Sequence, residues 1–172
     1  VNALTTDQIA SLGTAQINAL STAQLAALST ADIVAMTTAQ FAALSSTQAA
    51  ALTSSQIAVL ETVDLAVLNT AALRAWSTDA IRALTTNEVT ALTTSQVSAL
   101  SSTQAAALST AQVAVLETAD LRALSTTALR AMDTAQIDAL DTAQLNALTT
   151  LQASALNTAQ IAALATGDLV AL

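Results

Sequence analysis

Residues 20–44 read LSTAQLAALSTADIVAMTTAQFAAL, and after the first Leu this stretch holds three variants of one eight-residue unit. The unit runs without insertion or deletion from residue 5 to residue 172, which makes 21 octads. Position 8 is Leu in 18 octads, position 2 is Thr in 18, position 5 is usually Ile, Leu or Val, and position 4 is mostly Gln. A fixed internal period is the signature of a repeat architecture. We therefore predict a single octapeptide-repeat array over residues 1–172.

A second, longer period lies above the octad. The octad SSTQAAAL occurs at residues 45–52 and again at residues 101–108, and the octads that follow each copy match in order. We interpret residues 101–156 as a segmental duplication of residues 45–100, a segment of seven octads. A superhelical turn of seven octads would also select this period, so both explanations stay open.

Each octad carries the signals of a helix start. Ser21 can accept a hydrogen bond from the amide of Gln24, and the Gln24 side chain can reach back to the Ser21 amide, which is a capping box. Leu20 and Leu25 then occupy the two positions of a hydrophobic staple. Ala, Leu and Gln are strong helix formers, whereas Ser and Thr favour caps over helix interiors. We favour position 1 as the N-cap, with position 2 as the alternative. Thr at position 2 is then expected to face the neighbouring octad, where its hydroxyl can bond a carbonyl at the end of an adjacent helix.

The period decides between rival folds. One continuous helix would rotate by about 80° per octad, so the position 8 leucines would spiral around the rod. A coiled coil needs apolar residues spaced by about 3.5, and a β-solenoid needs alternation and corner glycines. We predict an all-α fold: an α-solenoid of 21 very short, two-turn capped helices, one per octad, with positions 5 and 8 in the core. One octad cannot bury enough apolar surface alone, so stability must come from stacked neighbours.

The composition excludes several kinds of chemistry. The chain has no His, Cys, Lys or Tyr, so histidine bases, thiolate metal sites and disulfides are impossible. Four Arg against twelve acidic residues give a net charge of -8, which makes nucleic-acid binding unfavourable. The longest apolar run is residues 161–165, too short for a membrane span or a signal peptide. Because the chain starts in mid-pattern, we interpret it as a fragment or a mature piece.

Individual residues favour structural roles. Glu61 with Asp64 and Glu117 with Asp120 are the only tight acidic pairs, and both fall at positions 1 and 4, where capping explains them better than a metal site. We expect a solvated acidic patch at Asp133, Asp138 and Asp141. The sequence thus predicts no catalytic, cofactor-binding or metal-binding residues and no cofactor, and we expect no enzymatic activity.

The remaining distinctive side chains are the four arginines and one tryptophan. All four Arg occupy position 6, where we expect exposed charges that balance nearby acids: Arg74, Arg82, Arg122 and Arg130. Trp76 replaces a core Leu at position 8, so we expect it in the core, where its indole N–H must find a partner or reach the surface.

The stretch at residues 20–44 resembles the L-[ST]-T-x-Q-[ILV]-x-A-L tracts of very large bacterial secreted or surface proteins. Those proteins carry adhesin, haemagglutinin or haem-utilisation labels, and the resemblance covers essentially the whole chain. It implies an extracellular, repetitive region that acts as a stalk, spacer or adhesive array. Haem binding is not supported, because only Met36 and Met132 are present as axial ligands.

Three functions remain open at this point. The leading one is a structural repeat region of a large bacterial surface or secreted protein, with an unidentified protein or surface as partner. The second is a self-assembling filament or sheet, because octads stack head to tail through the same surface that internal octads bury. The third is a ligand- or ice-binding surface that uses the Thr array.

Overall fold

Position 1, usually Ser or Thr, and position 8, usually Leu, mark the start and end of a short helix in each octad of the described chain. The computed structural model describes residues 4–164. Within that range the chain is all-helical and contains 20 α-helices. The all-α solenoid of short repeats predicted from the sequence is confirmed. The predicted helix of the last octad, residues 165–172, lies outside the described residues.

The chain divides into two compact units, residues 1–92 and residues 93–172, and each is described by itself. The helices of unit 1 are α1 (Thr6–Ser11), α2 (Thr14–Asn18), α3 (Thr22–Ala26), α4 (Thr30–Ala35), α5 (Thr38–Ala43), α6 (Ser46–Ala50), α7 (Ser54–Ile57), α8 (Thr62–Val67), α9 (Thr70–Ala75), α10 (Thr78–Ala83) and α11 (Thr86–Thr90).

Unit 2 continues the same pattern. Its helices are α12 (Thr94–Ser98), α13 (Ser102–Ala105), α14 (Thr110–Ala114), α15 (Thr118–Ala123), α16 (Thr126–Ala131), α17 (Thr134–Asp138), α18 (Thr142–Ala147), α19 (Thr150–Ala155) and α20 (Thr158–Ala163).

Position 1 is the N-cap, as predicted, and position 2 is the first helical residue. At α3 the Gln24 amide donates to the Ser21 hydroxyl at 3.2 Å, and the Ser21 amide donates to Gln24 Oε1 at 2.8 Å. This reciprocal pair satisfies two of the backbone N–H groups that a helix start leaves unpaired. The N-cap backbone is extended, with φ -70° and ψ 159° at Ser21, so each cap also turns the chain into the next helix.

The helices are shorter than the two turns expected. Each contains four to six residues, as in α7, α3 and α1. The helix is shorter than the octad, because the N-cap at position 1 is extended and the residue at position 8 is often extended as well. Leu44, for example, has φ -61° and ψ 131°. Helices this short are unstable alone, so packing between octads must hold them.

Most of the apolar core residues are at positions 5 and 8, as predicted, and position 4 is buried as well in many octads. Helix n packs against helix n+3 throughout each unit, for example α1 against α4 and α6 against α9 in unit 1, and α13 against α16 in unit 2. Ile57 and Leu60 show the pattern within one octad, and both are buried. Met36 and Met132 take the position 8 place in their octads and are also buried.

Candidate functional site

The glutamine at position 4 has two sets of partners, one at each end of its carboxamide. In α7, Gln56 Oε1 accepts the Thr53 amide at 2.8 Å, which is the cap bond. Its Nε2 donates to the carbonyl oxygens of Leu25 at 2.9 Å and Leu28 at 2.8 Å. These two carbonyls belong to the end of α3, 31 and 28 residues earlier in the chain. One side chain therefore caps its own helix and satisfies the end of another.

The same arrangement recurs at fixed spacing in both units. Each Nε2 donates to the carbonyls 31 and 28 residues earlier. The residues are Gln40, Gln48 and Gln56 in unit 1, and Gln136, Gln144, Gln152 and Gln160 in unit 2. We call this set the glutamine ladder. All seven side chains are buried.

The ladder gives the superhelical turn of each unit. A spacing of 28 residues is three and a half octads. One turn of the superhelix therefore lies between three and four octads: each helix packs on the helix three octads away, and each ladder glutamine bonds the end of the helix four octads back. Two such turns are seven octads, which is the longer period of the sequence. That period therefore matches a whole number of turns, and a duplication of that length keeps every octad in register.

Gln at position 4 makes the bonds to helix-end carbonyls that we expected of Thr at position 2. Thr38 does bond a neighbouring octad, but its partner is the Asp64 side chain and not a carbonyl. At most octads of residues 4–164 the position 2 side chain is exposed, as at Thr22 and Thr86. The sequence indicates only the capping role of position 4, since nothing in an isolated octad reveals the second set of partners of its Nε2.

Two alanines interrupt position 4 in unit 1, and neighbouring side chains replace the missing donors. A glutamine in place of Ala72 would donate to the Leu44 carbonyl, 28 residues earlier. Asn69 Nδ2 donates to that carbonyl instead, at 3.3 Å. A glutamine in place of Ala80 would donate to the Ala49 carbonyl, 31 residues earlier. Trp76 Nε1 donates to that carbonyl instead, at 2.8 Å. Trp76 is 3% exposed, which confirms the predicted core position, and of the two alternatives for its N–H the structure has the bonded one.

Two buried carboxylates interrupt position 4 in unit 1, and neither is fully satisfied. Asp64 and Glu88 are each 3% exposed. Asp64 Oδ1 and Glu88 Oε1 are buried without a hydrogen-bond partner, the two such side-chain atoms in residues 4–164. Carboxylate oxygens only accept hydrogen bonds, so they cannot replace the Nε2 donor of the ladder.

The capping explanation of the two acidic pairs is wrong. Glu61 and Glu117 are the N-caps of α8 and α15, but neither side chain makes a cap hydrogen bond. Their partners at position 4, Asp64 and Asp120, are buried. A capping box uses side-chain acceptors for backbone N–H groups, so an acidic N3 residue fits it, but Glu is not among the residues preferred at the N-cap and here makes no cap bond.

Asp64 gives the fold a pH dependence. Burial raises the pKa of Asp64 above its ordinary value of 3.8; a hydrogen bond with Thr38 opposes the rise, and the Glu61 carboxylate adds to it. The Glu88 carboxylate lies on α11, which also packs against α8. A raised folded-state pKa means that the stability contribution is complete below about pH 3.8 and is lost as pH rises through the folded-state pKa.

We expect Asp64→Asn to raise the free energy of unfolding at pH 7 by about 1 kcal/mol, because it removes a buried charge and keeps an acceptor for Thr38. The gain should vanish near pH 3, where Asp64 is protonated. Urea unfolding of both proteins from pH 3 to pH 7, followed by circular dichroism, measures this. An equal difference at all pH values would contradict the assignment.

The other predicted surface residues lie as expected. The four arginines are exposed, and Arg82 pairs with Asp79 at 3.5 Å. Asp133 and Asp141 are exposed and cap α17 and α18, while Asp138 is exposed at the end of α17. Within residues 4–164, no three acidic side chains converge in a metal-binding group. The absence of catalytic residues stays a prediction.

The family model described as ALTTAQ repeat matches residues 1–30, 25–62, 57–94 and 113–150, which together are well over half of the chain. The chain belongs to the ALTTAQ repeat family. Comparisons with curated proteins and with solved structures found no match. In this ALTTAQ repeat chain, no helix of residues 4–164 is long and apolar enough to span a membrane.

Proposed function

We propose that this ALTTAQ repeat chain is a non-enzymatic structural region, a stalk, spacer or adhesive array, of a large bacterial surface or secreted protein. The glutamine ladder carries the proposal. Seven buried carboxamides make the same bonds to carbonyls three and a half octads away, whatever the exact sequence of the octad. The recurring polar side chains of the core are thus used to hold the repeat together.

The glutamine ladder is compatible with a spacer, a region that serves by its length, because it allows the number of octads to vary. Each octad of the ladder bonds to the octad four places back through backbone carbonyls, which any sequence provides. Octads can therefore be added or duplicated without new side-chain partners, as in other repeat arrays. The extracellular location is supported by the resemblance of the octads to tracts of secreted and surface proteins.

Small-angle X-ray scattering tests the spacer function. The 172-residue chain is compared with a chain that contains one extra copy of residues 101–156, each over a concentration series. We expect the maximum dimension to grow in proportion to the number of octads and to stay constant on dilution. An unchanged maximum dimension in the longer chain would contradict a spacer, and growth with concentration would favour the self-assembling filament instead.

A ligand- or ice-binding surface is the second candidate, because the Thr side chains at position 2 are mostly exposed. The turn of three and a half octads argues against ice. It staggers the Thr side chains of successive turns by half an octad, so they line up only on every second turn. Thermal hysteresis of a concentrated solution measures ice binding directly, and we expect none.

A further inference from the structure

One cleft of unit 1 contains the unsatisfied Glu88. It has a volume of about 490 Å³ and lies between the end of α7, the start of α8 and the start of α11. Its lining includes Leu60, Glu61, Thr62, Asn87 and Glu88. The polar groups among these residues offer carboxylate, hydroxyl and amide oxygen atoms, and the lining contains no arginine.

Glu88 uses only half of its carboxylate in the fold. Oε2 accepts the Thr85 amide as the cap bond, and the Glu88 amide donates to the Thr85 hydroxyl at 3.2 Å. Oε1 is buried without a partner, in a side chain that is 3% exposed. A buried carboxylate oxygen without a hydrogen bond is costly, so a positively charged partner at this atom would be stabilising.

The duplicated segment shows what normally fills this place. Gln144 lies seven octads after Glu88, and its Nε2 donates to the carbonyls of Val113 at 3.2 Å and Leu116 at 2.7 Å. The corresponding carbonyls in the first copy are those of Ile57 and Leu60. In the Glu88 octad a carboxylate therefore stands at the position where the second copy has the carboxamide donor, and its Oε1 is left without a hydrogen-bond partner.

The surrounding groups favour a cation over any other partner. Glu61 lines the same cleft, and its carboxylate makes no cap bond. Leu60, which lines the cleft, lies just past the end of α7, and the carbonyl end of a helix attracts positive charge. Two carboxylates and main-chain carbonyls form the kind of oxygen donor set that Ca²⁺ prefers, whereas Zn²⁺ selects nitrogen and sulfur and Mg²⁺ requires a stricter octahedral geometry.

We propose that this cleft binds one Ca²⁺ ion through Glu88 Oε1, the Glu61 carboxylate and the Leu60 carbonyl, with Asn87 and water completing the coordination. The ion takes the place of the missing Nε2 donor and links the end of α7 to the start of α11. With two protein carboxylates, we expect a dissociation constant of roughly 10⁻⁴ to 10⁻³ M. This inference does not depend on the proposed function.

The test is calcium binding by the 172-residue chain, measured by isothermal titration calorimetry and by thermal unfolding. Trp76, the only tryptophan, reports unfolding by fluorescence. We expect one ion per chain and a rise in Tm of several degrees in 10 mM CaCl₂ over a KCl control of equal ionic strength. MgCl₂ should give a smaller rise.

Three variants make the test specific. Glu88→Gln gives the first copy the residue that the second copy has as Gln144, so it should fold, bind no Ca²⁺ and have a higher Tm than the wild type in EDTA. Glu61→Gln should weaken binding about tenfold. Glu117→Gln is the matched control, because Glu117 is the counterpart of Glu61 in the second copy, and it should bind as the wild type does.

Three results would overturn the proposal. The first is a wild-type chain that binds no Ca²⁺ in the millimolar range. The second is a Glu88→Gln chain that binds Ca²⁺ as strongly as the wild type. The third is an equal loss of binding in Glu61→Gln and Glu117→Gln, which would show a general effect of charge.

Discussion

Replacing Gln56 by Glu should lower the free energy of unfolding by about 3 kcal/mol at pH 7, measured in EDTA by urea unfolding. The change is nearly isosteric and keeps the oxygen that accepts the Thr53 amide. It replaces the Nε2 donor by an oxygen that faces the carbonyls of Leu25 and Leu28. The expected loss therefore combines the lost bonds between turns with the cost of burying an unpaired carboxylate, with little contribution from the cap or from a cavity.

Gln24 provides the matched control. It makes the same cap bond, to the Ser21 amide at 2.8 Å, but its side chain is exposed. We expect Gln24→Glu to change the free energy of unfolding by less than about 0.5 kcal/mol, the usual range for surface substitutions. Similar losses from Gln56→Glu and Gln24→Glu would mean that position 4 serves only as a cap.

The second large loss of stability is expected from substitutions of Trp76 and Ala49, which are hydrogen-bonded to each other. Trp76→Leu restores the common residue of position 8 but should cost about 3 kcal/mol, because it leaves a cavity and removes the donor to the Ala49 carbonyl. Ala49 is fully buried at position 5, where most octads have a larger residue. Ala49→Leu alone should cost about 1–3 kcal/mol by overpacking.

The double variant tests whether the two residues are a complementary pair. In Ala49→Leu with Trp76→Leu, the added side chain fills the space that Trp76 leaves, so we expect a total loss at least about 1 kcal/mol smaller than the sum. Met132→Leu is the control in the second copy, and should cost less than about 1.5 kcal/mol as a swap of similar volume. Additive losses in the Ala49 and Trp76 variants would contradict the pairing.

The local features of the fold could be predicted because each octad contains its own evidence. Ser21 and Gln24 belong to one octad, so their capping box follows from that octad and elementary helix geometry. The buried places of positions 5 and 8 follow from the apolar pattern. The single Trp at position 8 likewise predicted a buried ring, but not whether its N–H bonds a partner or reaches the surface; in the structure the Ala49 carbonyl accepts it.

The bonds between turns could not be predicted in the same way. Gln56 and its acceptors Leu25 and Leu28 lie four octads apart in the sequence, and the octad pattern does not fix how many octads make one turn. Every octad has carbonyls in the same places, so sequence alone gives no preferred partner. One sequence feature does point to a second role of position 4. Where alanines replace Gln there, Asn69 and Trp76 are nearby in the sequence, and these two side chains supply the missing donors.

The effect of the acidic residues at position 4 could not be predicted from single octads either, because it also depends on octads that are distant in the sequence. Glu88 fits a capping box, and it does form one with Thr85. Its second oxygen is buried without a partner, whereas the corresponding Gln144 in the second copy donates to the carbonyls of an earlier turn. Asp64 lacks the amide donor of Gln, and its partner Glu61 makes no cap bond.

The most direct test of the glutamine ladder is nuclear magnetic resonance of the glutamine side-chain amides. The ladder predicts slow hydrogen exchange for the Nε2 protons of Gln56 and Gln152, and scalar couplings through hydrogen bonds from Gln56 Nε2 to the carbonyl carbons of Leu25 and Leu28. Gln24, which is exposed, should exchange as fast as a free side chain. Fast exchange at Gln56 and Gln152, equal to that of Gln24, would contradict the ladder.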